Sequence, residues 1–365
     1  MQKQITIAIT GGHLTPALSL IDELKKQWPN QIIFIGRHLA SEETNTLSHE
    51  QAAVTAKGVY FVAITTGKLY RHFSVQAALS LLKIPLGFIQ SLTILRRCHP
   101  RIVVSFGGYV ALPVALAAWV LRIPVVTHEQ GTRVGLANKL VGLLARRIAI
   151  SWPHTRSQFP PKKVILTGNL LRTAILEKRL RPLAYLDPQK PLIYITGGNQ
   201  GSHIINQTLF HLIPQLSKRF TLIHQTGLAD LAQFKALRQT RYYPHAWLDD
   251  ESVSWCLHQA SLVISRSGAN TVTELAFVGT PAILIPLPRA QQNEQWHNAN
   301  LLLDAGTARI ILQAEFTPGR LEQEVNFILS HIHKFKSKVA RAQKLINPQA
   351  ARELASLIND LISSS

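Results

Sequence analysis

The sequence predicts an α/β protein built as two similar doubly wound units, and three observations carry that expectation. Short β-branched runs alternate with longer helical patterns along the chain, as parallel α/β architecture requires. At 365 residues and 46% hydrophobic composition, the chain is too long for one typical core and too apolar for a disordered protein. The tetrapeptide Ile-Thr-Gly-Gly occurs at Ile9-Thr10-Gly11-Gly12 and again at Ile195-Thr196-Gly197-Gly198, each copy between a predicted strand and a predicted helix.

In the first half, residues 5–10 read as a strand, 16–27 as a helix, and 31–36, 102–106 and 124–128 as strands. The second half restarts the pattern, with strands at 192–196, 221–225, 262–265 and 282–286 and a helix at 203–216. Each candidate strand ends in Gly or polar residues, and ligands of open α/β sheets bind at that carboxyl edge. Residues 151–190 include Pro153, Pro160, Pro161, Pro182 and Pro188 and read as a linker zone. The expected domains are therefore 1–165 and 166–344. A C-terminal amphipathic helix at about 345–362, carrying Leu354, Leu357, Ile358 and Leu361, can pack back on the first.

Cys98 and Cys256 cannot form a disulfide framework and lie in no metal-ligand cluster, which fits a reducing cytoplasm. The N-terminus runs straight into a strand-like segment, without signal-peptide regions. Residues 102–121 carry no charge and approach the ~20 residues of a membrane span. Gly107-Gly108-Tyr109 and Pro113 instead divide them into a buried strand, a turn and a buried helix. The formal net charge of +19 points to an anionic partner: nucleic acid, acidic lipid or phosphorylated substrate. Residues 1–165 hold 19 Lys and Arg against 6 Asp and Glu, and the remainder 20 against 14, so the excess lies mainly in the first half. A nucleic-acid-binding reading fits the charge alone; no motif combines basic and aromatic residues in a binding pattern.

Thr10-Gly11-Gly12-His13 stands where the first strand meets the first helix, as a tight turn or as a phosphate-binding helix N-terminus. His13 there is either a turn residue or a general base near neutral pH. Gly197 to Ser202 offers consecutive backbone N–H groups suited to a diphosphate. Neither G-x-G-x-x-G nor a P-loop occurs, which argues against NAD and P-loop ATP chemistry. In Arg266-Ser267-Gly268-Ala269-Asn270-Thr271-Val272-Thr273-Glu274, Ser267 and Gly268 can open a helix toward phosphate. Glu274, about two turns in, can accept ribose hydroxyl protons or be an ordinary surface carboxylate. The amide-rich run from Gln291 to Asn298 suits sugar hydroxyls or a polar loop. Glu129 in His128-Glu129-Gln130 is a candidate acceptor-side carboxylate or a structural one. No H-E-x-x-H, paired Cys or Asp-x-Asp supports a metal. Residues 67–97 interleave Leu69, Phe73, Leu79, Leu82, Ile84, Leu86 and Phe88 with Lys68, Arg71, Lys83, Arg96 and Arg97, reading as an anionic-membrane face or a core helix with solvated lysines.

Together these motifs resemble the MurG family, bacterial transferases that add N-acetylglucosamine to the lipid-linked muramyl-pentapeptide of peptidoglycan synthesis. The matching segments run in order: TGGHLTPAL at 10–18, GKLYRHFS at 67–74, SFGGYVALP at 105–113, HEQGTRVGLANK at 128–139, TGNLLR at 167–172, GGNQGSHIIN at 197–206, SRSGANTVTEL at 265–275, and PLP through QWHNA at 286–299. The resemblance implies a GT-B fold, two Rossmann-like domains with an interdomain cleft. Its first domain would face acceptor and membrane, and its second would bind UDP-N-acetylglucosamine as a substrate, with no cofactor.

By the same resemblance Leu248 sits by the uracil and Glu274 holds the ribose. Asn199, Gln200, Gly268, Ala269 and Thr271 line the diphosphate region, Gln295 binds the sugar, and Arg172 reaches the phosphates. Thr10, Gly11 and Gly12 close from the first domain. His13 is the base for the acceptor hydroxyl, with Tyr109, Glu129 and Asn138 around the acceptor. The implied reaction is inverting displacement, its leaving UDP stabilised by helix N-termini and Arg172 rather than a metal. The implied partners are the undecaprenyl-pyrophosphoryl-linked muramyl-peptide and the anionic inner leaflet of the cell membrane, with peripheral attachment on its cytoplasmic face and no nucleic acid. Other GT-B UDP-sugar:lipid transferases and UDP-N-acetylglucosamine epimerases are the alternative enzyme readings. The sequence departs from the family pattern at Ala8 and Ile9, where two glycines are usual, at Asn199 for serine, at Gly131 for Asn or Asp, and at Glu294 for His or Gln.

Overall fold

A computed structural model of the chain describes residues 6–29, 31–37, 39–41, 46–47, 49–67, 75–184, 189–198, 201–288 and 290–364. It divides into two compact units, Met1–Leu171 with Gln349–Ser365, and Arg172–Pro348.

The first unit contains β1 (Ile7–Thr10), β2 (Ile32–Arg37), β3 (Leu39–Ser41), β4 (Thr46–Leu47), β5 (Tyr60–Ile64), β6 (Ile102–Ser105), β7 (Val125–Glu129), β8 (Arg147–Ile150) and β9 (Val164–Leu166). β3 and β4 form a small antiparallel pair. The other seven make one parallel sheet in the order β5-β2-β1-β6-β7-β8-β9. The central strands are apolar on both faces because helices cover both. In β1, Ile7 and Ile9 enter one core cluster and Ala8 the opposite one. The helix Ala350–Ser363 completes the Ile7 side: Leu354, Ile358 and Leu361 join Leu20, Ile21 and Leu24 of the helix Leu14–Leu24. Trp28 Nε1 donates to Asn359 Oδ1 at 2.7 Å, and Arg101 donates to the Ile362 carbonyl at 2.6 Å, a cation on the last turn of that helix.

The second unit contains β10 (Leu192–Thr196), β11 (Thr221–Gln225), β12 (Tyr242–His245), β13 (Leu262–Ser265), β14 (Ala282–Leu284) and β15 (Ala308–Ile310). They form a parallel sheet in the order β12-β11-β10-β13-β14-β15. In both sheets the chain goes first to one side of the opening strand and then to the other. The reversal lies between β1 and β6 and between β10 and β13, and a crevice opens at the carboxyl ends of strands at such a point.

The uncharged run 102–121 divides as expected into β6 and the helix Ala111–Val120. Among the described residues no helix is long and apolar enough to cross a membrane. Several local expectations need correction. The predicted helix 203–216 is two helices, His203–Phe210 and Ile213–Arg219, because Pro214 lacks an N–H and is tolerated only in the first turn of the second. The proline-rich stretch 151–190 begins inside the first unit, where β9 pairs in parallel with β8. In 67–97, Leu69, Phe73, Lys68 and Arg71 lie outside the described residues, as do the side chains of Leu79 and Leu82. From Val75 to Cys98 the segment is helical.

Candidate active site

In the first unit, Thr10 and Ser105 are register partners at the carboxyl ends of β1 and β6. Gly11 has φ +140°, and a Cβ there would lie 2.7 Å from the Phe106 backbone, so glycine is required for the two loops to meet. The Gly12 N–H then donates to the Gly107 carbonyl at 2.9 Å. His13 follows as the N-cap of the helix Leu14–Leu24, without a side-chain capping bond. Thr10 Oγ1 and His13 Nδ1 are buried with no hydrogen-bond partner among the described residues. Burial holds the His13 imidazole below its ordinary value.

His128, at the end of β7, is fully buried and tilts on Phe106. Its Nε2 lies 3.1 Å from the Gly168 carbonyl, which can only accept, so this nitrogen carries the hydrogen. Burial lowers its pKa to about 4, with a smaller contribution from His13, so both rings favour their neutral forms. Glu129 is 3% exposed, and its two oxygens accept from the Gly131 N–H at 2.9 Å and Asn138 Nδ2 at 2.8 Å. Asn138 is equally buried; the structure brings these two residues together as each other's partners. Tyr109 stands further along the β6 loop and accepts a hydrogen bond from Arg37 at 2.9 Å.

In the second unit, Thr196 and Ser265 are the corresponding register partners. A Cβ on Gly197 would lie 2.2 Å from Ser202 N, so the loop folds back closely on the start of the helix His203–Phe210. Asn199 and Gln200 lie outside the described residues. Gly268 caps the helix Ala269–Val278 with an ordinary φ of −62°, and a Cβ there would meet nothing within 4 Å among the described residues. Backbone strain does not demand glycine at that position, and among the described residues no neighbour does. Ala269 is buried and Thr271 half-buried in that helix. Ser267 Oγ donates to the Gln295 carbonyl at 2.8 Å, and Gln295 Oε1 accepts from Leu287 N at 3.0 Å, which ties the amide-rich loop to the same N-terminus.

Arg172, Glu274 and Asp250 form one cluster. Arg172 pairs with Glu274 Oε1 through NH1 and with Asp250 Oδ1 through Nε at 2.9 Å. Burial opposes the Arg172 charge, but the two carboxylates outweigh it and raise its pKa. Glu274 is 4% exposed, so it is no surface carboxylate. The Leu248 side chain is also buried, within the core, while the adjoining Trp247 ring is exposed. Sequence reasoning passed over Arg266 as a site residue. It is buried with four neutral oxygen partners: Ser202 Oγ, the Ile285 and Pro286 carbonyls, and Gln313 Oε1. Burial lowers its pKa. Among the described residues this cation has no carboxylate partner, which leaves its charge to favour an anion nearby. Among the described residues no group of three or more His, Cys, Asp or Glu could hold a metal ion.

Comparison with known proteins bears on both units. Residues 5–150 match the glycosyltransferase family 28 N-terminal domain and residues 192–357 the family 28 C-terminal domain. The UDP-N-acetylglucosamine–N-acetylmuramyl-(pentapeptide) pyrophosphoryl-undecaprenol N-acetylglucosamine transferase of Anaeromyxobacter dehalogenans is 34% identical over 360 residues, 97% of this chain and 91% of the relative. The crystal structure of Acinetobacter baumannii MurG aligns with a TM-score of 0.71 at 25% identity, covering 97% of this chain and 99% of that one. The chain belongs to the MurG family. A UDP-N-acetylglucosamine 2-epimerase from Neisseria meningitidis, bound to UDP-N-acetylglucosamine, has a TM-score of 0.69 at 15% identity over 97% of this chain and 99% of its own, and shares the fold alone.

Three MurG-family departures acquire a physical setting here. Ala8 and Ile9 are fully buried residues of β1, filling opposite cores where the usual glycines would fill neither. Gly131 contributes its backbone N–H to Glu129. In this MurG-family chain Glu294 begins the helix Glu294–Ala305, and burial pushes its carboxyl up.

Proposed function

We propose that this chain transfers N-acetylglucosamine from UDP-N-acetylglucosamine to the lipid-linked muramyl-pentapeptide, with inversion at the anomeric carbon. The observation that carries the donor reading is the open space at Gly268, at the N-terminus of the helix Ala269–Val278, with Arg266 two residues before it, whose buried charge meets only neutral oxygens among the described residues. A nucleotide diphosphate would supply the missing anion. Glu274 would accept from the ribose hydroxyls, Arg172 would turn toward the phosphates, the segment at Trp247 and Leu248 would meet the uracil, and Gln295, with Asn199 and Gln200, would complete the donor site.

On the acceptor side, His13 is the base. The acceptor oxygen attacks the anomeric carbon, its proton passes to the His13 imidazole, and the bond to the diphosphate breaks with UDP as leaving group. The Gly11-Gly12 backbone and the helix behind it favour negative charge. Glu129 and Asn138 brace the loop after β7, and Tyr109 contacts the acceptor. Purified protein given labelled UDP-N-acetylglucosamine and the lipid-linked muramyl-pentapeptide is expected to move label into the lipid product. No transfer from this donor or from a panel of UDP-sugars would overturn the reading; UDP-N-acetylmannosamine formed without acceptor would favour an epimerase.

The reading includes a peripheral position on the cytoplasmic face of the membrane, and a second set of residues supports membrane contact. Ile89, Trp119, Val120, Leu136 and Leu143 are exposed on three successive helices, Val75–Cys98, Ala111–Val120 and Leu136–Leu144, each packed on the next. Exposed Arg96, Arg97, Arg122 and Lys139 accompany them. Apolar side chains beside cations suit an anionic leaflet. The double variant Trp119→Ser, Leu143→Ser is expected to lower binding to anionic vesicles by about tenfold or more. Unchanged co-sedimentation would remove this face from the membrane reading.

A further inference from the structure

Arg37 ends β2 at the same carboxyl edge as the His13 loop, and its partners give it a defined task. NH1 lies 2.9 Å from Tyr109 Oη, and Nε lies 3.2 Å from Glu50 Oε1. The guanidinium carbon is 5.8 Å from the Tyr109 ring centre. Glu50 is 5% exposed and comes from the helix His49–Ala56. Room for it depends on Gly36, where a Cβ would lie 2.6 Å from the Phe61 ring and 3.1 Å from Glu50 Oε2. A glycine, a buried carboxylate and an arginine together fix one guanidinium orientation.

Arginine has donors and no acceptor, so Tyr109 Oη must accept in this bond. The phenolic hydrogen is therefore directed away from Arg37, and among the described residues it finds no acceptor. Because Glu50 already compensates the Arg37 charge, the arginine is set to orient the phenol rather than to capture a free anion. We infer that Arg37, braced by Glu50, is a positioning residue that presents the Tyr109 O–H as a donor to an oxygen of the acceptor substrate that can only accept. A phosphoryl oxygen and a carbonyl oxygen share that chemistry. The inference rests on the acceptor reading of Tyr109 given above.

The test measures both Michaelis constants for wild type, Arg37→Lys, Tyr109→Phe and the double variant. Lysine retains a charge opposite Glu50 but lacks the fork that spans both partners. Each single variant is expected to raise the acceptor KM by about tenfold, with the donor KM unmoved and kcat changed less than KM. The double variant is expected to be no worse than either single, because both act through one hydroxyl. With an acceptor analogue lacking the diphosphate, the Tyr109→Phe effect vanishes if the partner is phosphoryl and persists if it is carbonyl. Unmoved acceptor KM in Tyr109→Phe, or single effects that multiply in the double variant, would overturn the inference. Wild-type protein that transfers nothing to the lipid acceptor would instead sink the proposed function. If Arg37→Lys fails to fold, Tyr109→Phe still decides.

Discussion

Replacing His13 by alanine is expected to lower kcat by about 10²–10⁴-fold, the range for loss of a general base, with a small change in the KM for UDP-N-acetylglucosamine. The side chain makes no capping hydrogen bond to the helix it precedes, so the loss should be chemical rather than conformational. The pH profile separates this role from a passive one. Burial disfavours the imidazolium form and lowers the His13 pKa, so the neutral base persists below the ordinary imidazole range. Wild-type kcat/KM is expected to rise with pH along a limb whose midpoint lies below 6.5 and to be level at pH 7. That limb should be absent from His13→Ala. His128, at about 4, is turned by its Nε2–H toward Gly168, so a loss of activity near that pH that survives in His13→Ala would belong to it. Residual activity of His13→Ala with the limb intact would assign the base elsewhere.

The parts of the fold legible in the sequence were those with local causes. β1 and β10 are fully buried strands ending in the same Thr-Gly-Gly, and the glycines are needed where loops meet at a sheet reversal. The uncharged run divides at a glycine pair and a proline for equally local reasons. Edge strands were harder to see. Tyr60 in β5 is 69% exposed and β12 contains Pro244, tolerable because an edge strand need not donate on its outer side. Neither pattern resembles a buried parallel strand.

The site divides in the same way. The Gly11-Gly12 and Ser267-Gly268 turns could be placed from adjacent residues, but side-chain partnerships across the fold could not. Glu129 and Asn138, nine residues apart, meet only because the helix Leu136–Leu144 follows β7 and packs against it. Arg266 was visible in its motif, yet its neutral surroundings among the described residues depend on Ser202, Ile285, Pro286 and Gln313 converging from separate segments. Arg37 gave no signal beyond an arginine after a strand, because Glu50 and Tyr109 define its role from different elements.

Changing Glu274 to glutamine is expected to raise the KM for UDP-N-acetylglucosamine by about 10–100-fold, since a charge-assisted hydrogen bond is worth roughly 1.5–3 kcal/mol. The carboxylate is suited to two tasks at once. Oε1 holds Arg172, while Oε2 carries no hydrogen bond among the described residues and can accept from a ribose hydroxyl. Glutamine preserves the shape but presents one carbonyl oxygen and an NH₂ group that points donors at Arg172 or the ribose, so one partner is lost. Arg172 would retain Asp250, whose side chain is 40% exposed, as its remaining carboxylate. A lowered melting temperature should therefore accompany the kinetic defect, because breaking a buried pair from one side leaves charge uncompensated. The donor's ribose distinguishes recognition from stability alone. Wild type should prefer UDP-N-acetylglucosamine to its 2′-deoxyribose analogue, and Glu274→Gln should lose most of that preference. If the variant kept the full preference while its melting temperature fell, Glu274 would be an anchor for Arg172 and the ribose would be read by another group.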